Sequence, residues 1–172
     1  ASVSSNSYSV TGLDLSSLSD GTLTITADVD DLAGNSATQA SDSTTKDTAA
    51  PTISVAINDG GDGRLNAAED SSVTISGATS GAEDGQTVFI NISSSAGGVP
   101  INTTATVNSN SYSVSGLDLS SLNDGTLTIT ADVSDLAGNA ATQAIDTSTK
   151  DSTAPTISVA TVSYTHLTLP TI

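Results

Sequence analysis

Apolar residues recur at alternate positions in a series of short segments separated by Gly, Asn and Asp. The segments are TISVAI (52–57), SSVTISGA (71–78), QTVFINIS (86–93), INTTATVN (101–108), SYSVSGL (111–117), GTLTITADV (125–133) and ATQAIDTST (141–149). Each alternates apolar with polar side chains or runs β-branched, the signature of a half-buried strand. Seven such strands within about 100 residues, with no helical period between them, predict an antiparallel β-sandwich. Only Leu119 to Leu122, inside DLSSLND, suit a single helical or 3₁₀ turn.

The pattern also repeats. SNSYSVTGLDLSSLSDGTLTITADVDDLAGNSATQA, from Ser5, returns as SNSYSVSGLDLSSLNDGTLTITADVSDLAGNAATQA, from Ser109, an offset of 104 residues. With about four-fifths of the aligned positions identical, the chain is a window on a tandem array. Residues 1–46 are the back part of one unit, 47–150 a complete one and 151–161 the start of a third. A unit of this length is too long for a solenoid turn and suits an autonomous domain. The prediction is all-β, with tandem seven-stranded immunoglobulin-like sandwiches. The last eleven residues, VSYTHLTLPTI (162–172), break the array and resemble a translated sequencing adapter, so they are set aside from the fold.

Composition narrows the function. Nineteen acidic residues face three basic ones, a formal net charge of -16. Too few cations are present to neutralise a phosphate backbone, which argues against nucleic acid, and such an excess of carboxylates points to divalent metal. No Cys is present, so neither a disulfide nor thiolate chemistry is available. No apolar run approaches a membrane span, so direct membrane insertion is not expected. The core must come from Val, Ile, Leu and Ala. Phe89 is assigned to core packing in its strand, and Tyr112, at the start of a strand, is not placed as a tyrosine corner.

In a seven-strand sandwich the loops fall at two poles. The linker KDTAAP with Asp47, the loop SGAEDG with Glu83 and Asp84, and DLAGN with Asp135 and Asn139 share one pole. The stretch NDGGDGRLNAAED (58–70), the DLSSLND turn with Asp118 and Asp124, and Asp151 share the other. The carboxylates therefore gather where neighbouring units meet. Aligned with an EF-hand-type loop from Asn58, Asp62 falls at position 5, Gly63 at 6, Arg64 with its carbonyl at 7, Asn66 at 9 and Glu69 at 12. Asn58 replaces the usual Asp at position 1, and Gly60 leaves position 3 empty unless Asp59 substitutes. Calcium is the expected ion at both poles; the alternatives are a solvated turn in the first case and a four-residue hairpin, with Gly138 and Asn139 at positive φ, in the second.

No catalytic constellation is expected. The only His, His166, lies in the excluded tail, and a Ser or Thr nucleophile needs a base. Lys46 and Lys150 are candidates for an isopeptide with a buried Asn or Asp, but their position in the linkers predicts exposed lysines instead.

Residues 1–161 resemble tandem bacterial immunoglobulin-like repeats of giant biofilm-associated, type I-secreted (RTX-type) adhesins. The likeness rests on the D-x-A-G-N loop at Asp31 to Asn35 and Asp135 to Asn139, the LNAAE segment at Leu65 to Glu69, and the Asp-to-Pro linker. It implies a non-enzymatic extender at the bacterial cell surface, stiffened by calcium at the junctions and supporting adhesion and biofilm formation. Its partners are then neighbouring repeats and calcium, while other domains contact the host or substrate surface. The alternative is a repeat that itself binds carbohydrate or protein weakly and multivalently.

Overall fold

The computed structural model describes residues 1–163, so most of the C-terminal tail, including His166, lies outside the described residues. Within them all regular structure is strand. A hairpin of β1 (Gly21–Ala27) and β2 (Ala40–Lys46) comes first. Then follow β3 (Thr52–Ile53), β4 (Ala56–Asn58), β5 (Arg64–Leu65), β6 (Val73–Ser80), β7 (Thr87–Ser94), β8 (Ile101–Thr106), β9 (Ser111–Leu117), β10 (Gly125–Asp132) and β11 (Ala144–Lys150). One sheet has the order β5-β11-β10-β7-β8; in the other, β3 and β4 pair with one side of β6 and β9 with its other side.

Alternation explains the layering. On β7 Val88, Ile90 and Ile92 are buried, and on β10 Leu127, Ile129 and Ala131 are buried, each two residues apart. They meet Val73 and Ile75 of β6 across the sandwich in one core cluster. Each buried Val, Leu or Ile contributes about 1.5–3 kcal/mol, so a core without Trp or Cys suffices. Every predicted strand is present. The single turn at Leu119 to Leu122 is also present, closed by Leu122 N donating to Leu119 O at 3.0 Å.

Three features depart from the sequence reading. The first predicted strand is interrupted at Ser54–Val55, and the 58–70 stretch carries an additional strand, β5. Phe89 is not in the core: it sits on the outer face of β7 and is 61% exposed. The reason is its register, because Val88 and Ile90 on either side point inward.

The repeat is visible in three dimensions. β1 pairs with β2 from Gly21 opposite Lys46 to Ala27 opposite Ala40, and β10 pairs with β11 in the same register, from Gly125 opposite Lys150 to Ala131 opposite Ala144. Burial differs: Ile25 is 58% exposed and its counterpart Ile129 is 0% exposed. Among the described residues β1 and β2 pair only with each other, whereas β10 also pairs with β7 and faces β6.

The interruption at Ser54 has a cause. Tyr112 lies across from Gly77 in the β6–β9 ladder, and its hydroxyl donates to Ser54 O at 2.6 Å. Ser54 O has left the β3–β6 ladder, and Ser54 Oγ takes its place as acceptor for Ala78 N at 3.0 Å. Burial pushes the Tyr112 phenol up to about 12, so it stays a neutral donor. Tyr112→Phe leaves this carbonyl without its partner and is expected to cost about 1–2 kcal/mol. A lowered urea midpoint at unchanged m-value checks it.

Candidate functional site

The 58–70 stretch is held to the sandwich rather than hanging from it. Gly60, Gly61 and Gly63 take positive φ, which lets the chain double back. Leu65 then plugs into the core, while Thr149 N donates to Gly63 O at 3.1 Å and Asp151 N to Leu65 O at 2.9 Å. The β5–β11 ladder is parallel. Nothing in the alternation pattern signals a two-residue strand.

Within the stretch the side chains of Asn58, Asp59, Asp62, Asn66 and Glu69 each hold a backbone N–H, while Asp70 faces Lys150. Asp62 Oδ1 accepts from Arg64 N at 2.9 Å, Asn66 Oδ1 from Ala68 N at 2.8 Å and Glu69 Oε2 from Asn66 N at 3.0 Å. Asn58 Oδ1 accepts from Gly60 N at 3.3 Å. Glu69 Oε1 lies 3.2 Å from where a Cβ on Gly60 would stand, so the side chain missing at position 3 is the space into which Glu69 reaches. Asp59 turns to the sheet instead: its Oδ2 accepts from Ser148 Oγ at 2.9 Å and its Oδ1 from Gly61 N at 3.0 Å. Partial desolvation opposes ionisation of Asp59, but the Ser148 and Gly61 hydrogen bonds outweigh it and hold the carboxyl below its usual range.

At the linker pole, Asn139 Nδ2 donates to Asp47 O at 3.2 Å and to Asp135 Oδ2 at 2.9 Å, and Asn139 N donates to Asp135 Oδ1 at 2.8 Å. Glu83 Oε2 joins them by accepting from Leu136 N at 2.8 Å. Asp84 does not: its carboxylate accepts from Ser109 N at 2.7 Å in the hairpin turn before β9. The Asn139 side chain, with the loop's backbone amides, lowers the Asp135 carboxyl. The same closure recurs at Asp31, which accepts from Asn35 N at 2.9 Å and Nδ2 at 2.8 Å. Asp135 thus closes the hairpin whether or not it also binds an ion.

The other pole contains a correction. Lys150 is buried, 3% exposed, with Nζ 3.2 Å from Asp70 Oδ2 and 3.2 Å from Asp124 Oδ1. Strand alternation turns Asp146, Ser148 and Lys150 inward, where they meet Ile57 N, Asp59 and Asp70 and form a polar seam between β11 and the 58–70 stretch. Asp124 also accepts from Ser152 Oγ at 2.8 Å and Thr153 Oγ1 at 3.1 Å, so it grips the outgoing linker. The Ser152 hydroxyl first, then Lys150 and Thr153, hold the Asp124 carboxyl at about 2. Burial works against the Lys150 ammonium, but Asp70 and Asp124 raise its pKa above the ordinary value. The Lys150 ammonium and the Asp124 carboxylate stay ionised, the opposite of the neutral amine and carboxylic acid that an isopeptide condensation requires. Asp118 accepts from Ser120 N at 2.9 Å and Asp151 from Thr153 N at 3.2 Å, each closing a local turn.

Among the described residues, no three His, Cys, Asp or Glu side chains converge closely enough to hold a metal by themselves. A hard cation at either pole therefore needs amide and carbonyl oxygens in its sphere. The 58–70 stretch supplies that mixture: two carboxylates (Asp62, Glu69), an amide (Asn66), and the Arg64 carbonyl, which takes no part in the two ladder bonds accepted by Gly63 and Leu65. The cradle at Gly60 makes this donor set a fit for calcium.

Two facing sheets, with β3 and β4 on β6 in one and the short β5 on β11 in the other, define an immunoglobulin-like sandwich. The chain belongs to the family described as bacterial Ig-like domain (group 3), whose model matches residues 6–99. That match begins ahead of β1 and ends after β7, so it takes the end of one repeat with the start of the next; in a periodic array any frame one period long is equivalent. A solved structure described as a tetra-tandem repeat in the extending region of a large adhesion protein is similar, with 37% identity over 84% of this chain and a TM-score of 0.58. The chain spans 35% of that structure's length. No curated protein matches the chain.

Proposed function

We propose that this chain is a stretch of the extending region of a large bacterial cell-surface adhesin, a spacer whose junctions are stiffened by calcium. The observation that carries the reading is its likeness, over 84% of its length, to tandem repeats from such a region. One unit runs from Asp47 to Lys150, with 1–46 closing the preceding unit and 151–161 opening the next. The work of the array is mechanical: it holds a binding module away from the cell in adhesion and biofilm formation.

Two supports fix the linkers. Hydrogen bonds already hold both ends, through Asn139 to the Asp47 carbonyl and through Asp124 to Ser152 and Thr153. Calcium adds the second, neutralising carboxylates that otherwise repel across each junction. Asp62, the Arg64 carbonyl, Asn66 and Glu69 hold it at one pole, with Asn58 completing the loop. Asp47, Glu83, Asp135 and Asn139 hold it at the other. At about 10 mM calcium, sites with extracellular-type affinity are each stabilised by about 1.4–2.7 kcal/mol.

Small-angle scattering of the chain with calcium and with chelator tests the proposal. The expected result is a larger maximum dimension and a narrower distribution of shapes with calcium. Identical curves would remove calcium from the mechanism.

A further inference from the structure

The displaced Phe89 opens a surface that a spacer does not require. Val88, Ile90 and Ile92 face the core, so Phe89 and Asn91 share the outer face of β7. Phe89 stands between Thr104 of β8 and Asp132 of β10, and Asn91 lies beside Asn102 in the next row. These residues line a shallow, open concavity of about 510 Å³ that includes the Phe89 side chain.

The polar rim is ordered. Asp132 Oδ2 accepts from Gln143 Nε2 at 2.8 Å, and Asn91 Nδ2 donates to Asn102 Oδ1 at 2.8 Å. That second bond leaves Asn91 Oδ1 as an acceptor and Asn102 Nδ2 as a donor, while Asp132 retains acceptor capacity. The Asp–Gln pair recurs at Asp28 and Gln39, at 3.0 and 3.1 Å.

We infer that this face is a seat for a neutral pyranose of a glycan. A sugar ring has an apolar C–H face and a rim of hydroxyls. The electron-rich face of Phe89 suits the first, and the carboxylate and amides beside it suit the second. Charge selects the class: no cation lines the concavity, and the chain's net charge of -16 repels sialylated, sulfated or uronic-acid glycans. One shallow seat binds weakly, with an affinity in the millimolar range. This goes beyond the spacer reading and does not depend on calcium at the junctions.

The test is chemical-shift mapping of the isotope-labelled full chain, titrated with gluco-, manno- and galacto-configured neutral hexasaccharides and with a sulfated hexasaccharide. The expected result is saturable shifts at Phe89, Asn91, Asn102, Thr104 and Asp132 for at least one neutral probe, with a Kd of about 1 mM. Phe89→Ala weakens binding about tenfold or more, Phe89→Trp retains it, and the thermal midpoint of each variant shows that the fold is kept. The inference is overturned by an absence of localised shifts with every neutral probe, by unchanged binding in Phe89→Ala, or by tighter binding of the sulfated probe.

Discussion

Gly77→Ala is expected to lower the stability of the sandwich by about 2–4 kcal/mol. Gly77 is not among the positive-φ glycines, so alanine's backbone preference is no obstacle. The cost is steric: a Cβ there would stand 2.0 Å from Ser54 O and 2.6 Å from Tyr112 Oη. Neither neighbour can yield cheaply, because Ser54 is backbone and Tyr112 fills the space over Gly77. Overpacking costs about 1–3 kcal/mol. Expelling the ring forfeits about 1.5–3 kcal/mol of burial and the hydroxyl bond about 1 kcal/mol more. Against a domain margin of about 5–15 kcal/mol this is severe. Urea unfolding of the chain measures it, and a loss below about 1 kcal/mol would contradict the geometry. Tyr112→Ala separates the two contacts: if the clash is with Ser54 O, adding Gly77→Ala to Tyr112→Ala still destabilises, whereas a clash with the ring alone makes the second change neutral.

This element shows how far the sequence could be read. Gly77 interrupts a strand pattern, which signals close approach of another group. The partner was illegible, because Tyr112 reaches Ser54 across 58 residues. Local alternation located the strands because one face of each is buried, but a single apolar residue such as Phe89 does not reveal its own face. Only its neighbours Val88 and Ile90 do. The polar seam was hidden for the same reason: ATQAIDTST directs attention to Ile145, whereas the inward set is Ala144, Asp146, Ser148 and Lys150. The poles were legible as compositions and not as contacts. Glu83, Asp135, Asn139 and Asp47 do come together, while Asp59 and Asp84 are taken by Ser148 and Ser109.

Lys150→Met is expected to cost about 3–5 kcal/mol near neutral pH, and the pH dependence of that cost identifies its origin. The substitution keeps most of the side-chain volume but removes the cation that, among the described residues, alone faces Asp70 and Asp124. Asp70 is itself buried, so its carboxylate is left without compensation. In the wild type, Asp124 is depressed to about 2 from 3.8, so its contribution is present above about 4 and is lost as pH falls through about 2. Lys150 is raised above 10.5, so its contribution is present below that value and is lost as pH rises through its higher folded value. The wild-type network is therefore intact between about pH 4 and 10 and weakens on acidification below that window. In the variant that network is already gone, so the deficit is expected to narrow as pH falls below about 4, where the wild-type network itself weakens. Adding Asp70→Asn and Asp124→Asn should recover much of the loss and remove the pH dependence. Unfolding curves from pH 3 to 8 decide the matter. A deficit constant across that range would assign the cost to lost packing along the lysine stem and remove the ion-pair network from the account of how this pole grips its linker.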